Sequence, residues 1–171
     1  MTPEAAKAIV ENYAQVFEAE CGTTCKVLAA VKDDTRDYRP DPRSRTAWEL
    51  ATHLALDDYW FLNSVITGTF AQDPAGRAAV AETLKTSADL AIYYKGMMTG
   101  LVAKLRALSD EEATREVDFF GMMKRPAAAF LGLANNHSIH HRGQLAAYLR
   151  AMGSKVPAMY GGSADEPMQG A

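Results

Sequence analysis

Apolar residues recur every three or four positions through four long stretches of this chain, the period at which side chains line one face of an α-helix. In the first stretch Ala6, Val10, Tyr13, Phe17, Cys21, Thr24, Leu28 and Val31 keep that period. Pro3 suits a first helical turn, so a helix is predicted from Pro3 to about Val31. Gly22, Thr23 and Thr24 are weak helix formers in its middle, which predicts a bend there or the close approach of another group. Asp33 to Arg45, with Pro40 and Pro42, reads as a loop. Thr46-Ala47-Trp48-Glu49 then has the form of a capping box, in which hydroxyl and carboxylate satisfy the first free backbone donors of a helix. The second helix runs to about Thr67 and stops at Gly68. Its inward arc holds Leu50, His53, Leu54, Asp57, Trp60, Phe61 and Ser64.

Asp73-Pro74-Ala75-Gly76 is a turn, and Arg77 to Lys85 suits a short helix. A third long helix spans roughly Ser87 to Leu108, with Leu90, Tyr93 or Tyr94, Met97, Leu101 and Leu105 on its apolar face. Ser109-Asp110-Glu111-Glu112 is a second capping-box signature, predicting a short helical turn before a loop through Gly121. Arg125-Pro126 opens the fourth long helix and Gly153 ends it. Its stripe is Phe130, Ala134, His137, His141, Leu145, Tyr148 and Met152. Ser154 to Ala171 carries Pro157, Gly161, Gly162, Pro167 and Gly170 without helical period, and reads as an extended tail. Strand signals are few. The pattern predicts an all-α fold, a four-helix bundle with an extended C-terminal tail, in one domain over residues 1–171.

Two of the four histidines change this picture. His137 and His141 stand four apart, one turn apart on one helical face, and that face is the stripe predicted to point inward. His53 lies on the inward arc of the second helix. Residues from separate helices converge inside bundles, so these three imidazoles are candidate metal ligands. Three neutral nitrogens would leave a coordination position open, the mark of a reactive site rather than a closed structural one. Zinc, nickel and iron all accept imidazole. The plainer reading is a pair of core histidines. Asp57, one turn beyond His53, is the candidate catalytic carboxylate: an extra ligand, a general base or an orienting partner for a histidine. His140 is an alternative to His141 or a residue at the bundle rim. Arg142 is the candidate cofactor-binding residue and Gln144 a second polar group in reach, with exposed surface or a dimer contact as the competing reading. Cys21 and Cys25, also four apart, read first as small buried hydrophobes and second as a ligand or redox pair.

Charge and length narrow the choices further. The 171 residues carry a net charge of -3 with no basic cluster, against nucleic acid as a partner. They suffice for a hydrophobic core without a structural metal, so a bound metal would be functional. No apolar run reaches the length of a membrane span, and two cysteines suit reduced thiols, so the expectation is a cytoplasmic protein.

Three segments resemble the DinB/YfiT-like superfamily over nearly the whole chain. Asn136-His137-Ser138-Ile139-His140-His141-Arg142-Gly143-Gln144-Leu145 is similar to that family's H-x-x-x-H-R-G-Q element. Thr46-Ala47-Trp48-Glu49-Leu50-Ala51-Thr52-His53-Leu54 resembles its helix with a lone histidine. Val156-Pro157-Ala158-Met159-Tyr160-Gly161-Gly162-Ser163-Ala164-Asp165-Glu166-Pro167 is like its proline- and tyrosine-containing tail. The resemblance implies an up-down-down-up bundle, a homodimer, and a divalent metal on His53, His137 and His141. It also implies chemistry with low-molecular-weight thiols, since some members are thiol S-transferases or thiol-dependent isomerases. The leading expectation is therefore a metal-dependent transferase that acts on a small-molecule substrate with a thiol co-substrate. A metal-dependent hydrolase that activates water, and a metal- or ligand-binding stress protein without turnover, are the alternatives.

Overall fold

The computed structural model describes residues 1–168. Four long helices share one core: α1 (Pro3–Ala29), α2 (Ala47–Thr67), α4 (Ser87–Arg106) and α6 (Phe130–Ala151), with short α3 (Pro74–Thr83) and α5 (Asp110–Thr114) between them. The closest packing joins α1 to α4 and α2 to α6, while α1 also meets α6 and α2 meets α4. No described helix is long and apolar enough to cross a membrane.

Local chemistry sets the helix ends. Thr46 accepts from Glu49 N at 3.1 Å while Glu49 accepts from Thr46 N at 2.7 Å, closing the capping box at the head of α2. Ser109 and Glu112 do the same for α5, and Thr86 with Asp89 forms a third box at the head of α4. Gly68 ends α2 in the left-handed conformation, φ 76°. The Arg115 guanidinium lies over it and donates to the carbonyl oxygens of Val65 and Ile66, two acceptors that the end of the helix leaves without partners.

One segment departs from the sequence reading. Where a loop through Gly121 and a helix start at Arg125-Pro126 were expected, Glu116–Phe119 (β1) and Met123–Pro126 (β2) pair antiparallel, Glu116 opposite Pro126 and Phe119 opposite Met123. Phe120 and Gly121 take φ of 54° and 73°, the pair of left-handed residues that a type I′ hairpin turn requires. A 3-10 turn, Ala127–Ala129, leads into α6, which starts at Phe130. The hairpin is held by aromatic packing: Phe119 lies 4.8 Å from Phe70, which lies 4.9 Å from Phe130 and 5.3 Å from Trp60, centroid to centroid. This cluster reaches the histidines through Phe61, whose ring is 5.1 Å from that of His137.

The inward face of α6 keeps Phe130, Ala134 and Leu145 of the expected stripe, with Met152 just beyond the helix, but its histidines sit at the edge. Ala134, Ser138, Arg142, Leu145 and Leu149 are buried, while His137, His141 and Tyr148 are only partly so. The histidines therefore line the rim of the core, beside solvent, and the core centre on α6 holds a serine and an arginine.

Replacing Gly68 by alanine is expected to destabilise the fold by about 2 kcal/mol or more, since a left-handed non-glycine residue costs about 1–2 kcal/mol. Its Cβ would also sit 2.3 Å from Arg115 Nε and displace that cap. Urea denaturation checks the prediction, with an unchanged midpoint as the contrary result.

Candidate metal centre

α2 and α6 bring His53, His137 and His141 together, with one potential ligand atom from each within 4.8 Å of the others. Among the described residues they form the one group of three or more histidine, cysteine or acidic side chains so placed. Ring centroids are 5.2 Å apart for His53 and His137, 4.5 Å for His53 and His141, and 4.4 Å for His137 and His141.

The hydrogen bonds on the far side of each ring determine what faces the middle. His53 Nδ1 lies 3.2 Å from Asp57 Oδ2, and a proton held between them leaves Nε2 as a bare lone pair. His141 Nδ1 donates to Gln144 Oε1 at 2.7 Å, which leaves its Nε2 bare as well. These two bare nitrogens face each other at 3.1 Å. Two lone pairs so close repel unless a cation or a proton lies between them. Nitrogens about 2.0–2.1 Å from a shared tetrahedral ion would be about 3.3 Å apart, so the spacing fits a metal. His137 completes the set. Its Nδ1 is buried without a hydrogen-bond partner, and its Nε2 stands 3.6 Å from Asp57 Oδ2, too far for a hydrogen bond. An imidazole with neither nitrogen engaged is free to present a lone pair.

Electrostatics favours the same use. Burial and the neighbouring His141 lower the His137 pKa from 6.5 to about 4, and burial lowers that of His141. Both are neutral near pH 7, the protonation state a ligand needs. Burial acts to raise the Asp57 carboxyl, but the His53 hydrogen bond and the Arg77 charge overcome it and hold the pKa below the ordinary carboxylate value. Asp57 is thus an anion, shared between His53 and Arg77 Nη1, directly behind the histidines.

The remaining residues singled out by sequence fall elsewhere. His140 is exposed, its ring 4.8 Å from that of His141, at the rim. Gln144 is exposed and accepts from His141. Arg142, expected at a cofactor, on exposed surface or at a dimer contact, is 1 % exposed. It stands four residues after buried Ser138, on the core side of α6, and binds Thr24 Oγ1 at 2.9 Å, Glu20 and the Tyr160 hydroxyl. Its guanidinium serves the fold and does not open toward a ligand. Thr24 meets the expectation of a close approach in mid-helix, and α1 runs unbroken through it. Cys21 and Cys25 are half-buried rather than core.

Sequence reasoning missed Asp58 and Arg77. Asp58, 1 % exposed, accepts from the Tyr94 hydroxyl at 2.8 Å and Ser138 Oγ at 2.9 Å, while its Oδ1 has no partner. Burial raises its pKa from 3.8 to about 7. The available signal was that Asp58 lies four residues after Leu54 and four before Leu62, on an apolar row.

A helical protein with three histidines on its core rim and an anionic carboxylate beside them is the class this fold and site define. The chain belongs to the DinB family, whose sequence model matches residues 3–169. It is 30% identical over 139 residues to the uncharacterized protein YjoA of Bacillus subtilis, covering 80% of this chain and 86% of YjoA. The crystal structure of that DinB-like protein superposes with a TM-score of 0.67 over 86% of this chain and 96% of its own. A DinB-like protein from Bacillus cereus, 26% identical, superposes with a TM-score of 0.71 over 88% of this chain and 97% of its own.

Two groups here oppose each other as pH changes in the metal-free chain. Between 3.8 and about 7 the folded chain keeps a proton on Asp58 that the unfolded chain has lost, so this group makes stability fall as pH rises. Between about 4 and 6.5 the unfolded chain carries a proton on His137 that the folded chain lacks, so that group makes stability rise with pH. Asp58→Asn is expected to leave the His137 effect and tilt stability upward with pH across the shared window. His137→Asn is expected to tilt it downward. Urea denaturation of the metal-free variants at several pH values checks both, and equal slopes would contradict the assignment.

Proposed function

We propose that this chain is a metal-dependent transferase that activates a low-molecular-weight thiol at an open site on His53, His137 and His141. The observation that carries the reading is the pair of bare Nε2 atoms of His53 and His141, 3.1 Å apart, each with its Nδ1 already donating. A divalent ion there would supply Lewis acidity, stabilising a thiol as thiolate at neutral pH.

The chain's own residues supply position and field. Asp57 holds the His53 ring through Nδ1, and its charge lies beside the histidines, 3.2 Å from His53 Nδ1 and 3.6 Å from His137 Nε2. Engaged by His53 and Arg77 and held below the ordinary pKa, it is a positioning residue rather than a general base. Gln144 fixes His141 in the same way. Three neutral ligands leave the ion's charge uncompensated, which favours an anionic sulfur at the open position. Beside His53 lies a cavity of about 370 Å³, lined by Arg45, Thr52, His53, Leu56 and Arg77. It has room for a small molecule, but the charge there is mixed: Glu49 shares the lining with Arg45 and Arg77, and Arg77 is already paired with Asp57. The family resemblance supports thiol chemistry and a homodimer.

Elemental analysis of the purified chain is expected to find a single zinc, nickel or iron ion per chain, lost in His53→Ala and His137→Ala. Asp57→Ala keeps all three ligands and is expected to weaken metal affinity roughly 10–100-fold. Transfer to a panel of electrophiles should require both the metal and an added thiol. Ester or lactone hydrolysis that needs metal but no thiol would replace this reading with the hydrolase. Metal binding without turnover of any substrate would replace it with a binding protein.

A further inference from the structure

A second cavity, of about 560 Å³, lies between α1 and α4, and its lining includes Cys21, Gly22, Cys25, Lys95, Met98 and Arg106. It shares no lining residue with the cavity beside His53. Cys21 and Cys25 present their thiols one turn apart on α1, and both are half-buried, so they are reachable from the cavity rather than sealed in the core. Cys25 Sγ is anchored at the helix seam, 3.6 Å from the Ala91 carbonyl oxygen of α4. Gly22, between the cysteines, faces open space: a Cβ there would meet nothing within 4 Å.

Geometry separates the two things a pair of thiols can do. Side chains one turn apart on a helix have Cβ atoms about 5–6 Å apart. A disulfide needs about 3.5–4.5 Å, so direct oxidation would have to deform α1. Two sulfurs that each bind one ion at about 2.3 Å can be up to roughly 4.6 Å apart, a far wider span than the direct bond of about 2.0 Å that a disulfide requires. The donor count then selects the ion. Among the described residues no third histidine, cysteine or acidic side chain joins this pair within ligating distance, and Glu18, on the same wall, is paired with Arg106. Zinc, which takes four ligands in structural sites, is poorly served by two. Soft ions content with two thiolates are well served, Cu(I) above all.

We propose that Cys21 and Cys25 form a bidentate thiolate site for a single soft, thiophilic ion of low coordination number, of the Cu(I) class. The two thiols release their protons to solvent as two metal–sulfur bonds form, so one Cu⁺ replaces two H⁺ and the bound unit carries one net negative charge. Lys95, on the wall of the same cavity and in no ion pair among the described residues, supplies the compensating charge. The hydrogen bond from Cys21, and then the Lys95 ammonium, lower the Cys25 thiol against the effect of burial, while that same bond and burial push the Cys21 thiol up, so the second proton leaves only as its sulfur bonds the ion. The site is independent of the histidine centre and of the function proposed for it.

Anaerobic titration with Cu(I) against a competing chromophoric chelator tests the site. One equivalent of Cu(I) is expected to be retained by the wild-type chain and by His137→Ala. Cys21→Ser and Cys25→Ser should each weaken it by roughly 100-fold or more, the gain that a second tethered donor gives. X-ray absorption of the loaded chain should report sulfur neighbours. Copper retained by both cysteine variants and lost in His137→Ala would overturn the proposal. Phenylarsine oxide provides a measurement on the native chain: its As=O oxygen leaves as water while arsenic bonds both sulfurs. The adduct should survive excess monothiol and be released by a dithiol, and an adduct displaced by monothiol, or none, would equally overturn the proposal.

Discussion

A carboxylate taken out of water has to be met by the protein, and the four long helices close around the one at Asp58. It sits on α2, accepts from Tyr94 of α4 and from Ser138 of α6, and lies within the field of Arg142, which in turn reaches Thr24 and Glu20 of α1. An apolar core tolerates small slides of one helix along another, because contacts among similar side chains are interchangeable. Directional bonds at 2.8–2.9 Å are not. The network therefore sets the axial register of α2 against α6. Asp57 precedes Asp58 and His137 precedes Ser138, so the register that satisfies the buried carboxylate also aligns the three histidines.

The two neighbouring aspartates divide the electrostatic work. Asp58 points inward, where burial keeps it protonated up to about pH 7. Asp57 points along the rim, where a histidine and an arginine keep it charged. One residue of helical rotation, about 100°, separates a group that mainly holds the fold together from one that directs imidazole lone pairs. The rim position is itself useful: partly buried histidines lose their protons readily yet stay open to small molecules.

The parts legible in the sequence were those that depend on local spacing. His53, His137 and His141 announce themselves by type and period, and the capping boxes at Thr46 and Ser109 by their four-residue form. Other features depend on what lies across the core. Arginine reads as surface in any helical pattern, and only the meeting of Thr24, Glu20 and Tyr160 makes Arg142 interior. An adjacent pair of aspartates does not say which one turns inward. The hairpin was missed because its turn, Phe120-Gly121, carries only one glycine, with a phenylalanine in the other left-handed position. On α6 the histidines look like core residues when apolar neighbours are counted, although they line the rim, while Ser138 and Arg142 fill the core beside Phe130, Ala134 and Leu145.

The tail gives the chain a built-in order of events. Tyr160 stacks over Arg142, with the guanidinium carbon 5.3 Å from its ring centre, and donates to Glu20, a residue 140 positions earlier. On the ribosome α1 emerges well before the tyrosine, so Arg142 gains this partner only after α6 and the segment that follows it have been made. Such a long sequence separation also makes this contact entropically slow to close. The helices can collapse early, but the core arginine acquires its full set of partners only when the segment after α6 folds back onto α1, so seating of that segment follows the packing of the bundle.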